Sequence, residues 1–541
     1  MTWSNSPYDR RRYQRRSSPG RSLAGLALLL GVVLECIAAL LRATGTGSSG
    51  LVVTGLVLAG FGLAGRRASR SASAVQVTDW SRRSRTNDGV ASFWTLLFRA
   101  SRWAMLRRAH IWRPSLAGVS WWRRWRIPAS EYAVRIARVG ALTVWSPVED
   151  VTLRVGGPRT GKSGEMADHI ADAPGAVIAT STRLDLLETV GPLRAQWGPV
   201  LVFNPSGLGG IPSTVGFDPL TGCEVPATAF ARAEDLLGAA GGGDSEREYW
   251  TAQARRVLSG FLHAAALGEA TMHDVLAWVA APSASEPTVL AYLRRSPMPA
   301  YLADVAQFLS TNDKTRTSIT STIMPALSWL TVDSATSAVE GHFDVEELLA
   351  HRGTVFLLGG DDGQTAPLVA ALTGHIAREA RRLAGLRPGG RLDPPLTMAL
   401  DEAALICPVP LDQWTADMGG RGVTIHIAVQ SRAQLEQRWG REGAAAILNN
   451  AATVLVYGGT RDPGDLDTWA KLAGERVDED LGVVPVLSPA QIAQLPEGRV
   501  LIIRRATPAA IGSVRMAWRR RDVRQARRAH GWDLEEVGGR G

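Results

Sequence analysis

The sequence predicts an α/β protein whose parallel sheet is interrupted by a helical insertion. Short, continuously apolar and β-branched runs alternate with helical stretches beyond Tyr132, which is typical of parallel strands covered on both faces. Residues 222–342 show helical periodicity without a strand signal and form the predicted insertion. A glycine-rich loop at 156–163 joins a strand to a helix. The predicted strands are residues 151–155, 175–180, 198–203, 353–359, 396–401, 422–430, 452–459 and 499–504.

Charge and cysteine content limit the classes of protein. The chain carries 60 Lys and Arg residues against 51 Asp and Glu residues, for a net charge of +9. Such an excess of cations favours polyanionic partners, either nucleic acid or anionic lipid. Cys36, Cys223 and Cys407 lie far apart without metal-ligand spacing. Neither a disulfide framework nor a zinc site is therefore expected.

Two apolar segments near the N-terminus predict a transmembrane hairpin at residues 22–66. Residues 23–41 are long enough to cross a bilayer, whereas 51–65 are a shorter run that needs flanking residues or a thin bilayer. Arginines crowd outside the pair, in the basic stretch 1–21 and after residue 65, so both ends are expected in the cytoplasm. A cleaved signal peptide would leave the second run unexplained, and a buried soluble hairpin would not need arginine flanks. We expect a plasma-membrane protein.

Residues 67–131 form a basic, tryptophan-rich segment directly after the hairpin. Tryptophans between 94 and 125 alternate with arginines. Indole rings favour the headgroup layer and arginines favour anionic lipid, so the segment is expected to lie on the inner membrane leaflet. Aromatic rings interleaved with cations would also suit single-stranded DNA. Its position after a membrane crossing favours lipid.

The motif G-x-x-x-x-G-K-[ST] is matched at every fixed position by residues 156–163. Its glycines let backbone N–H groups point at an anion, next to the positive end of the following helix. Lysine is otherwise confined to Lys314 and Lys471, yet it is kept in this loop. The motif predicts an ATP site in which Lys162 reaches the β- and γ-phosphates and Ser163 ligates Mg²⁺. The predicted nucleotide-binding residues are Gly156, Gly157, Pro158, Arg159, Thr160, Gly161, Lys162, Ser163 and Gly164.

A second set of predicted catalytic residues follows the insertion. The apolar run 396–400 ends in Asp401, which would join Ser163 as a Mg²⁺ ligand, and Glu402, where a base would polarise the attacking water. Gln430 ends the next strand and would hydrogen-bond the γ-phosphate or the water. Arg421, on a glycine-flanked turn, would supply charge to a neighbouring subunit's transition state. The simpler alternatives are a strand cap for Gln430 and a surface charge for Arg421.

Seven short segments between Tyr132 and Trp518 carry a resemblance to a known family. They are SPVED at 146–150, ATSTRLD at 179–185, VFNP at 202–205, DEA at 401–403, GRG at 420–422, VQSRAQ at 429–434 and RWG at 438–440. Together they resemble the conjugative coupling proteins of type IV secretion systems, the TraG/TraD-type DNA-transfer ATPases in their actinobacterial form.

The resemblance implies a membrane-anchored homohexamer with a RecA-like P-loop ATPase domain. This domain would consist of residues 132–221 and 343–518 around the all-α insertion at 222–342, with a tail at 519–541. The protein would recruit the relaxosome with its relaxase and pump single-stranded plasmid DNA into the secretion channel. By motif match, Lys162, Asp401 and Glu402 would be catalytic, Gln430 the sensor and Arg421 a finger acting in trans. The chain departs from many relatives at residues 181–184, where they have Asp-Pro-Lys-Gly-like residues, and in its short loop at 42–50.

Two other functions fit parts of the sequence. An FtsK-like translocase of double-stranded DNA would also combine a hairpin with a phosphate-binding loop. A membrane adaptor for a nucleoprotein substrate would bind nucleotide without hydrolysing it. The set Lys162, Asp401, Glu402 and Arg421 argues against the adaptor, because a protein that does not hydrolyse nucleotide needs no complete hydrolytic set. The basic and then acidic tail could select partners or bind DNA, and a solvated end is the favoured interpretation.

Overall fold

The computed structural model describes residues 89–240, 245–360, 363–478 and 482–529, within the compact unit Asn87–Gly541. The predicted hairpin and the basic N-terminus lie outside the described residues. Among the residues that are described, no helix has both the length and the apolar character needed to cross a bilayer.

The secondary structure alternates between strands and helices, with a long helical stretch in the middle. The strands are β1 (Ala133–Val139), β2 (Leu142–Pro147), β3 (Thr152–Val155), β4 (Val177–Ser181), β5 (Val200–Phe203), β6 (Thr354–Leu358), β7 (Leu396–Leu400), β8 (Val423–Val429), β9 (Thr453–Tyr457), β10 (Glu475–Asp478), β11 (Gly482–Pro485), β12 (Arg499–Arg504) and β13 (Thr507–Ser513). The helices are α1 (Phe93–Ala100), α2 (Arg102–Trp112), α3 (Trp121–Arg126), α4 (Lys162–Asp172), α5 (Asp185–Arg194), α6 (Pro226–Ala240), α7 (Ser245–Leu267), α8 (Met272–Ala280), α9 (Pro282–Leu293), α10 (Pro299–Ser310), α11 (Asp313–Ile323), α12 (Asp333–Val339), α13 (Val345–Ala350), α14 (Ala366–Gly385), α15 (Ala403–Ile406), α16 (Leu411–Asp417), α17 (Arg432–Asn450), α18 (Pro463–Ala473), α19 (Pro489–Ala493) and α20 (Arg521–Ala529).

One large sheet contains 11 of the described strands, in the order β2-β1-β13-β12-β9-β3-β8-β7-β4-β6-β5. From β9 to β5 all neighbouring strands run parallel. Every residue of β3, β4, β6, β7, β8 and β9 is buried, because helices cover both faces of this part of the sheet. The prediction of an α/β fold with a mainly parallel sheet is confirmed.

The other part of the sheet is antiparallel, and here the prediction of a parallel sheet was wrong. Strand β12, expected at 499–504 among the parallel strands, runs antiparallel to β9 and to β13, and β1 pairs antiparallel with β13 and β2. The connections explain the difference. Only two residues separate β1 from β2 and β12 from β13, and so short a loop joins only antiparallel neighbours. Gly140 and Ala506 adopt φ values of 60° and 58° in these turns.

Between β5 and β6 the described residues form the helices α6 to α13, of which α6 to α12 correspond to the helical periodicity at 222–342 and α13 follows it. Helix α7 lies at the centre of this helical layer and packs against α6, α9, α10 and α11. Its buried Phe261 meets Trp278 and Phe308 edge-on, with ring centroids 6.1 and 6.0 Å apart. The sheet is thus continuous in space although the chain leaves it for about 150 residues.

The described part of the tryptophan-rich segment belongs to the folded domain, which differs from the predicted boundary at residue 131. Leu96 and Ala100 of α1 share a core with Ile136 of β1 and Val144 of β2. Trp112 of α2 is buried in a second core with Tyr132. A segment that only lay on lipid would have no such core, so residues from about 91 onward form a layer that covers the antiparallel edge of the sheet.

Part of the predicted solvated tail is also folded. Val523 and Ala526 of α20 are buried in the core that contains Leu186 and Val190 of α5. These two apolar residues, three apart in a basic helix, form a narrow apolar stripe that the run of arginines concealed in the sequence.

Candidate nucleotide-binding site

The glycine-rich loop lies at the carboxyl end of β3, the central strand of the 11-stranded sheet, at the edge where ligands of open α/β sheets bind. Gly161 adopts φ 101°, which a residue with a side chain rarely accepts, and immediately precedes α4. A Cβ on Gly156 would lie 2.5 Å from Cβ of Tyr457. Glycine at these two positions therefore allows the tight turn and the close approach of the loop to the end of β9.

A cavity of about 510 Å³ opens beside this loop. It is lined by the loop itself from Pro158 to Gly164, by the ends of β4, β7 and β8, and by two residues from the C-terminal part of the chain. Parallel strands deliver their carboxyl ends to the same edge of the sheet, so residues from distant parts of the sequence meet here. The predicted residues Lys162, Ser163, Asp401, Glu402 and Gln430 all line this cavity.

Lys162 is nearly buried, and its ammonium group is held by the loop. The Nζ atom donates hydrogen bonds to the carbonyl oxygens of Gly156 at 2.5 Å and Gly157 at 2.8 Å. Burial lowers the pKa of Lys162, while the carboxylates of Glu402 and Asp401 act in the opposite direction. A lysine held this way is placed to exchange its two carbonyl partners for phosphate oxygens without a change of fold.

Asp401 follows β7 and is 4% exposed. Burial raises its pKa to about 6, against a hydrogen bond from Ser163 that lowers it. Its backbone carbonyl accepts a hydrogen bond from the Thr180 hydroxyl of β4 at 2.8 Å, which fixes the end of β7 against its neighbour. Two oxygen donors of the kind that Mg²⁺ prefers, those of Ser163 and Asp401, therefore already face each other.

Glu402 and Gln430 lie next to each other at the mouth of the cavity. Glu402 adopts φ 48° directly before α15, an uncommon conformation for a residue with a side chain and one that clusters at functional sites. The Nε2 atom of Gln430 lies 3.3 and 3.4 Å from the two carboxylate oxygens of Glu402. The adjacent strands β7 and β8 thus bring the predicted base and the predicted sensor into contact.

Arg421 is the one predicted catalytic residue that the structure does not bring to the cavity. It ends a 3₁₀ turn, Met418–Arg421, before β8, whereas Gln430 follows β8. The first and last of the 7 residues of β8 are six steps of about 3.3 Å apart, so roughly 20 Å separate the two ends of the strand. Arg421 cannot contact a nucleotide bound beside Lys162 of the same chain.

Sequence reasoning missed seven residues that line the cavity: Ser181, Thr182, Arg183, Asp185, Leu405, Glu497 and Trp518. Ser181 and Asp185 lie in the ATSTRLD segment, where the motif indicated a corner without assigning roles. Glu497 precedes β12, and Trp518 lies in the 3₁₀ turn Ala517–Arg519. Both reach the loop through the antiparallel half of the sheet, and no local sequence signal indicates that approach.

A buried ionic network supports the loop from below. Arg154 of β3 and Glu165 of α4 are at most 1% exposed and form an ion pair in which Nη2 of Arg154 lies 3.1 Å from Oε1 of Glu165. His169 contacts both partners, at 2.9 Å from Glu165 and 2.8 Å from Arg154. Although burial alone would raise it, the pKa of Glu165 falls to about 2 because Arg154 and His169 are so close. The network ties the strand before the loop to the helix after it.

The fold and the cavity define the chain as a P-loop protein built for a nucleoside phosphate. A family model described as the TraM recognition site of TraD and TraG matches residues 395–481, which include Asp401, Glu402, Arg421 and Gln430. No curated protein gives a match.

Solved structures of the bacterial conjugative coupling protein TrwB share the fold. The unbound monoclinic form of TrwBdeltaN70 has 18% identity and a TM-score of 0.57, and covers 72% of this chain and 91% of that chain. The complex of TrwB with the ATP analogue ADPNP has 18% identity and a TM-score of 0.56, over 72% of this chain and 92% of that one. The complex with ADP and Mg²⁺ gives 18% identity, a TM-score of 0.54 and the same coverage of 72% and 92%. The resemblance to TraG/TraD-type coupling proteins is confirmed, in the matched segment and in the fold of a P-loop ATPase.

Proposed function

We propose that this chain is a membrane-anchored, ATP-driven coupling protein that recruits a relaxosome and pumps single-stranded plasmid DNA into a type IV secretion channel. The observation that carries the proposal is the convergence of Lys162, Ser163, Asp401, Glu402 and Gln430 on one cavity. The residues come from three strands that are neighbours in space, and the fold that unites them is shared with a coupling protein.

The cavity fits a nucleotide with Mg²⁺. TrwB was solved with ADP and Mg²⁺ and with the analogues ADPNP and GDPNP, and the cavity beside Lys162 has the residue types for the same ligands. Mg²⁺ held by Ser163 and Asp401 would offset the charge of the phosphates. Lys162 binds phosphate oxygens, and the loop amides orient them.

Glu402 and Gln430 orient and activate the attacking water. Glu402 accepts the proton of the water. The Gln430 amide, which already contacts the Glu402 carboxylate, orients the water relative to that carboxylate. Arg421 serves a neighbouring copy, because its own cavity is out of reach. This assignment requires a ring in which the amino end of β8 faces the next subunit's cavity, and a homohexamer satisfies it.

The partner proteins contact the segment matched by the family model. Within residues 395–481, the strands β7, β8 and β9 are buried and cannot contact a partner protein. The helices α17 and α18 and the strand β10 are more exposed. We propose the exposed part as the contact for a relaxosome protein, since the model's description names such a recognition site.

Membrane contact is supported by the surface of α1 and α2. Phe93, Trp94, Phe98 and Ile111 are 49%, 63%, 57% and 53% exposed, next to a cavity of about 750 Å³ whose walls include Arg99, Arg107, Arg108, Arg504 and Arg505. An apolar rim beside a basic cavity suits anionic lipid at the inner leaflet. This surface belongs to the segment 67–131 that follows the predicted hairpin in the chain, so lipid is a better match than single-stranded DNA.

ATP turnover tests the motor against an adaptor. The full chain, reconstituted in vesicles that contain anionic lipid, is expected to hydrolyse ATP faster when single-stranded DNA is added, and Lys162→Ala is expected to abolish turnover. Binding of nucleotide without turnover would support the adaptor instead. Stronger stimulation by double-stranded than by single-stranded DNA would support the FtsK-like alternative.

A further inference from the structure

Trp518 occupies a position in the nucleotide cavity to which the proposed reaction assigns no role. Its ring packs on the first turn of α4, since a Cβ on Gly164 would lie 2.2 Å from Cη2 and 2.3 Å from Cζ3 of the indole. Gly164 directly follows Ser163, so the ring lies beside the phosphate-binding residues. Trp518 is nevertheless 42% exposed. Of the described residues that line the cavity, Trp518 alone has an aromatic side chain.

The backbone around Trp518 is fixed to the helix that carries the loop. Arg520 contacts Asp168 at 2.9 Å and Asp172 at 2.7 Å, both on α4. Arg515 contacts the same two carboxylates, at 2.7 and 2.5 Å. Two arginines that bracket the tryptophan therefore bind two acids one turn apart, and the ring moves with the loop.

Apolar contacts add to this attachment. Met516, 1% exposed, lies against the loop, because a Cβ on Gly161 would be 2.3 Å from its Cε. Ala517 and Val523 are buried in the core with Leu186 of α5. The segment from Met516 to Arg520 is thus held on both sides, and only the ring of Trp518 is left partly open to the cavity.

We infer that Trp518 is the stacking platform for the base of the bound nucleotide, so that the segment Met516–Arg520 forms the base subsite of the cavity. This inference rests on the proposed nucleotide binding at Lys162. A rigid indole offers a large π-face at little cost in conformational entropy, since only two side-chain torsions must be ordered. A tryptophan that served only to pack on Gly164 would be expected to bury its ring.

Stacking by itself accepts any purine. Adenine and guanine both have a π-face, so the platform contributes affinity to either base and does not choose between them. The contribution disappears for a ligand that has phosphates and no base. Inorganic tripolyphosphate therefore distinguishes the contribution of the loop to affinity from that of Trp518, because it contacts the loop and does not stack on the indole ring.

The test compares ADP, GDP and tripolyphosphate on the full chain with Mg²⁺, by calorimetry. Trp518→Ala is expected to weaken ADP and GDP roughly 5- to 150-fold, the range of one base–aromatic stack, and to leave tripolyphosphate affinity unchanged. Trp518→Phe keeps a ring and is expected to stay within about threefold of the wild type. If Trp518→Ala lost the same fraction of its affinity for all three ligands, the stacking inference would be wrong, since Trp518 would then only shape the loop.

A fluorescent nucleotide supplies an independent readout. With N-methylanthraniloyl-ADP bound, energy transfer from tryptophan should drop in Trp518→Phe although the ligand stays bound. The matched control is Trp197→Phe, a residue 47% exposed at the opposite edge of the sheet, which should leave the transfer unchanged. An undiminished transfer in Trp518→Phe would contradict the platform.

Failure of the platform and failure of nucleotide binding give different results. If the wild type binds neither ADP nor tripolyphosphate, the proposed function fails and the platform with it. If the wild type binds both, Lys162→Ala loses both and Trp518→Ala retains ADP affinity, only the platform is wrong. Thermal unfolding of each variant shows whether it is still folded. If Trp518→Ala does not fold, the energy-transfer measurement on Trp518→Phe tests the inference instead.

Discussion

The Nε2 atom of Gln430 lies 3.3 Å from one carboxylate oxygen of Glu402 and 3.4 Å from the other. In the chain, the helices α15 and α16 and the strand β8 lie between these two residues. They meet because β7 and β8 are parallel neighbours. The pairing holds the predicted base in place before any nucleotide enters. When a γ-phosphate arrives, Gln430 is expected to exchange its contact with Glu402 for a hydrogen bond to the phosphate. A sensor of the bound nucleotide requires such a change of partner.

Glu402→Gln is expected to lower kcat for ATP about 10²- to 10⁴-fold, the usual contribution of a general base. Affinity for ADP should stay the same, because Lys162 and Ser163 are intact. Steady-state turnover and calorimetry measure the two quantities. Glu497→Gln, a change in an exposed carboxylate at the same cavity, is the control and should keep turnover within a few-fold. A large loss of ADP affinity in Glu402→Gln would assign this residue to binding instead.

Arg421→Ala is expected to abolish turnover by removing charge from a neighbouring subunit's site, with nucleotide affinity retained. Mixing tests this directly. Assemblies of Arg421→Ala with Lys162→Ala contain some interfaces where an intact Lys162 faces an intact Arg421, so activity should reappear. Arg387→Ala, an exposed arginine near the same edge of the sheet, should be active alone. If mixtures of the two inactive variants stay inactive, Arg421 does not act in trans.

Gly156→Ala is expected to lose nucleotide binding at least tenfold and to destabilise the fold by about 1–3 kcal/mol. The added Cβ would lie 2.5 Å from Cβ of buried Tyr457, and neither backbone can yield without strain. Calorimetry and urea unfolding give the two values. Gly385→Ala, where a Cβ meets nothing within 4 Å, should leave stability the same or slightly raised.

Glu165→Gln is expected to lower the free energy of unfolding by about 3–5 kcal/mol, because it leaves the fully buried Arg154 without a counter-charge. Urea unfolding at neutral pH measures the loss. Glu379→Gln breaks the exposed pair with Arg382 and should lower the free energy of unfolding much less, because water screens an exposed ion pair. Equal effects of the two changes would show that burial of the Arg154 pair does not matter.

His375 should make the fold sensitive to acid. Burial, together with the charges of Arg232, Arg378 and His342, lowers its pKa to about 3. The unfolded state then binds one more proton between about pH 6.5 and 3, so stability falls as pH falls through this range, by up to about 1.4 kcal/mol per pH unit. His375→Phe keeps the ring stacked on Phe217 and should show a slope shallower by that amount. Parallel pH profiles of the two proteins would contradict the assignment.

The sequence predicted the strands that build the parallel half of the sheet and the residues at their ends. Strands β3, β4, β6, β7, β8 and β9 are buried on both faces, so each is a mainly apolar run, interrupted by Arg154 in β3 and by His426 in β8, that can be recognised without knowing its neighbours. Strands β1 and β13 gave no such signal, since each has exposed or half-buried positions and depends on its partners for cover. The same reason explains why α1 and α2 were expected to lie on lipid when one face of each is in fact in the core.

What the sequence determined by itself is the phosphate-loop motif that contains Lys162 and Ser163 and the apolar strand that ends at Asp401 and Glu402, because both are local patterns that can be recognised without knowing the neighbouring strands. Only the tertiary structure decided that Arg421 lies at the far end of β8 and that Trp518 packs on Gly164. Those positions follow from the order of the strands in the sheet, and hydrogen bonds and packing between distant segments set that order without leaving a local pattern in the chain.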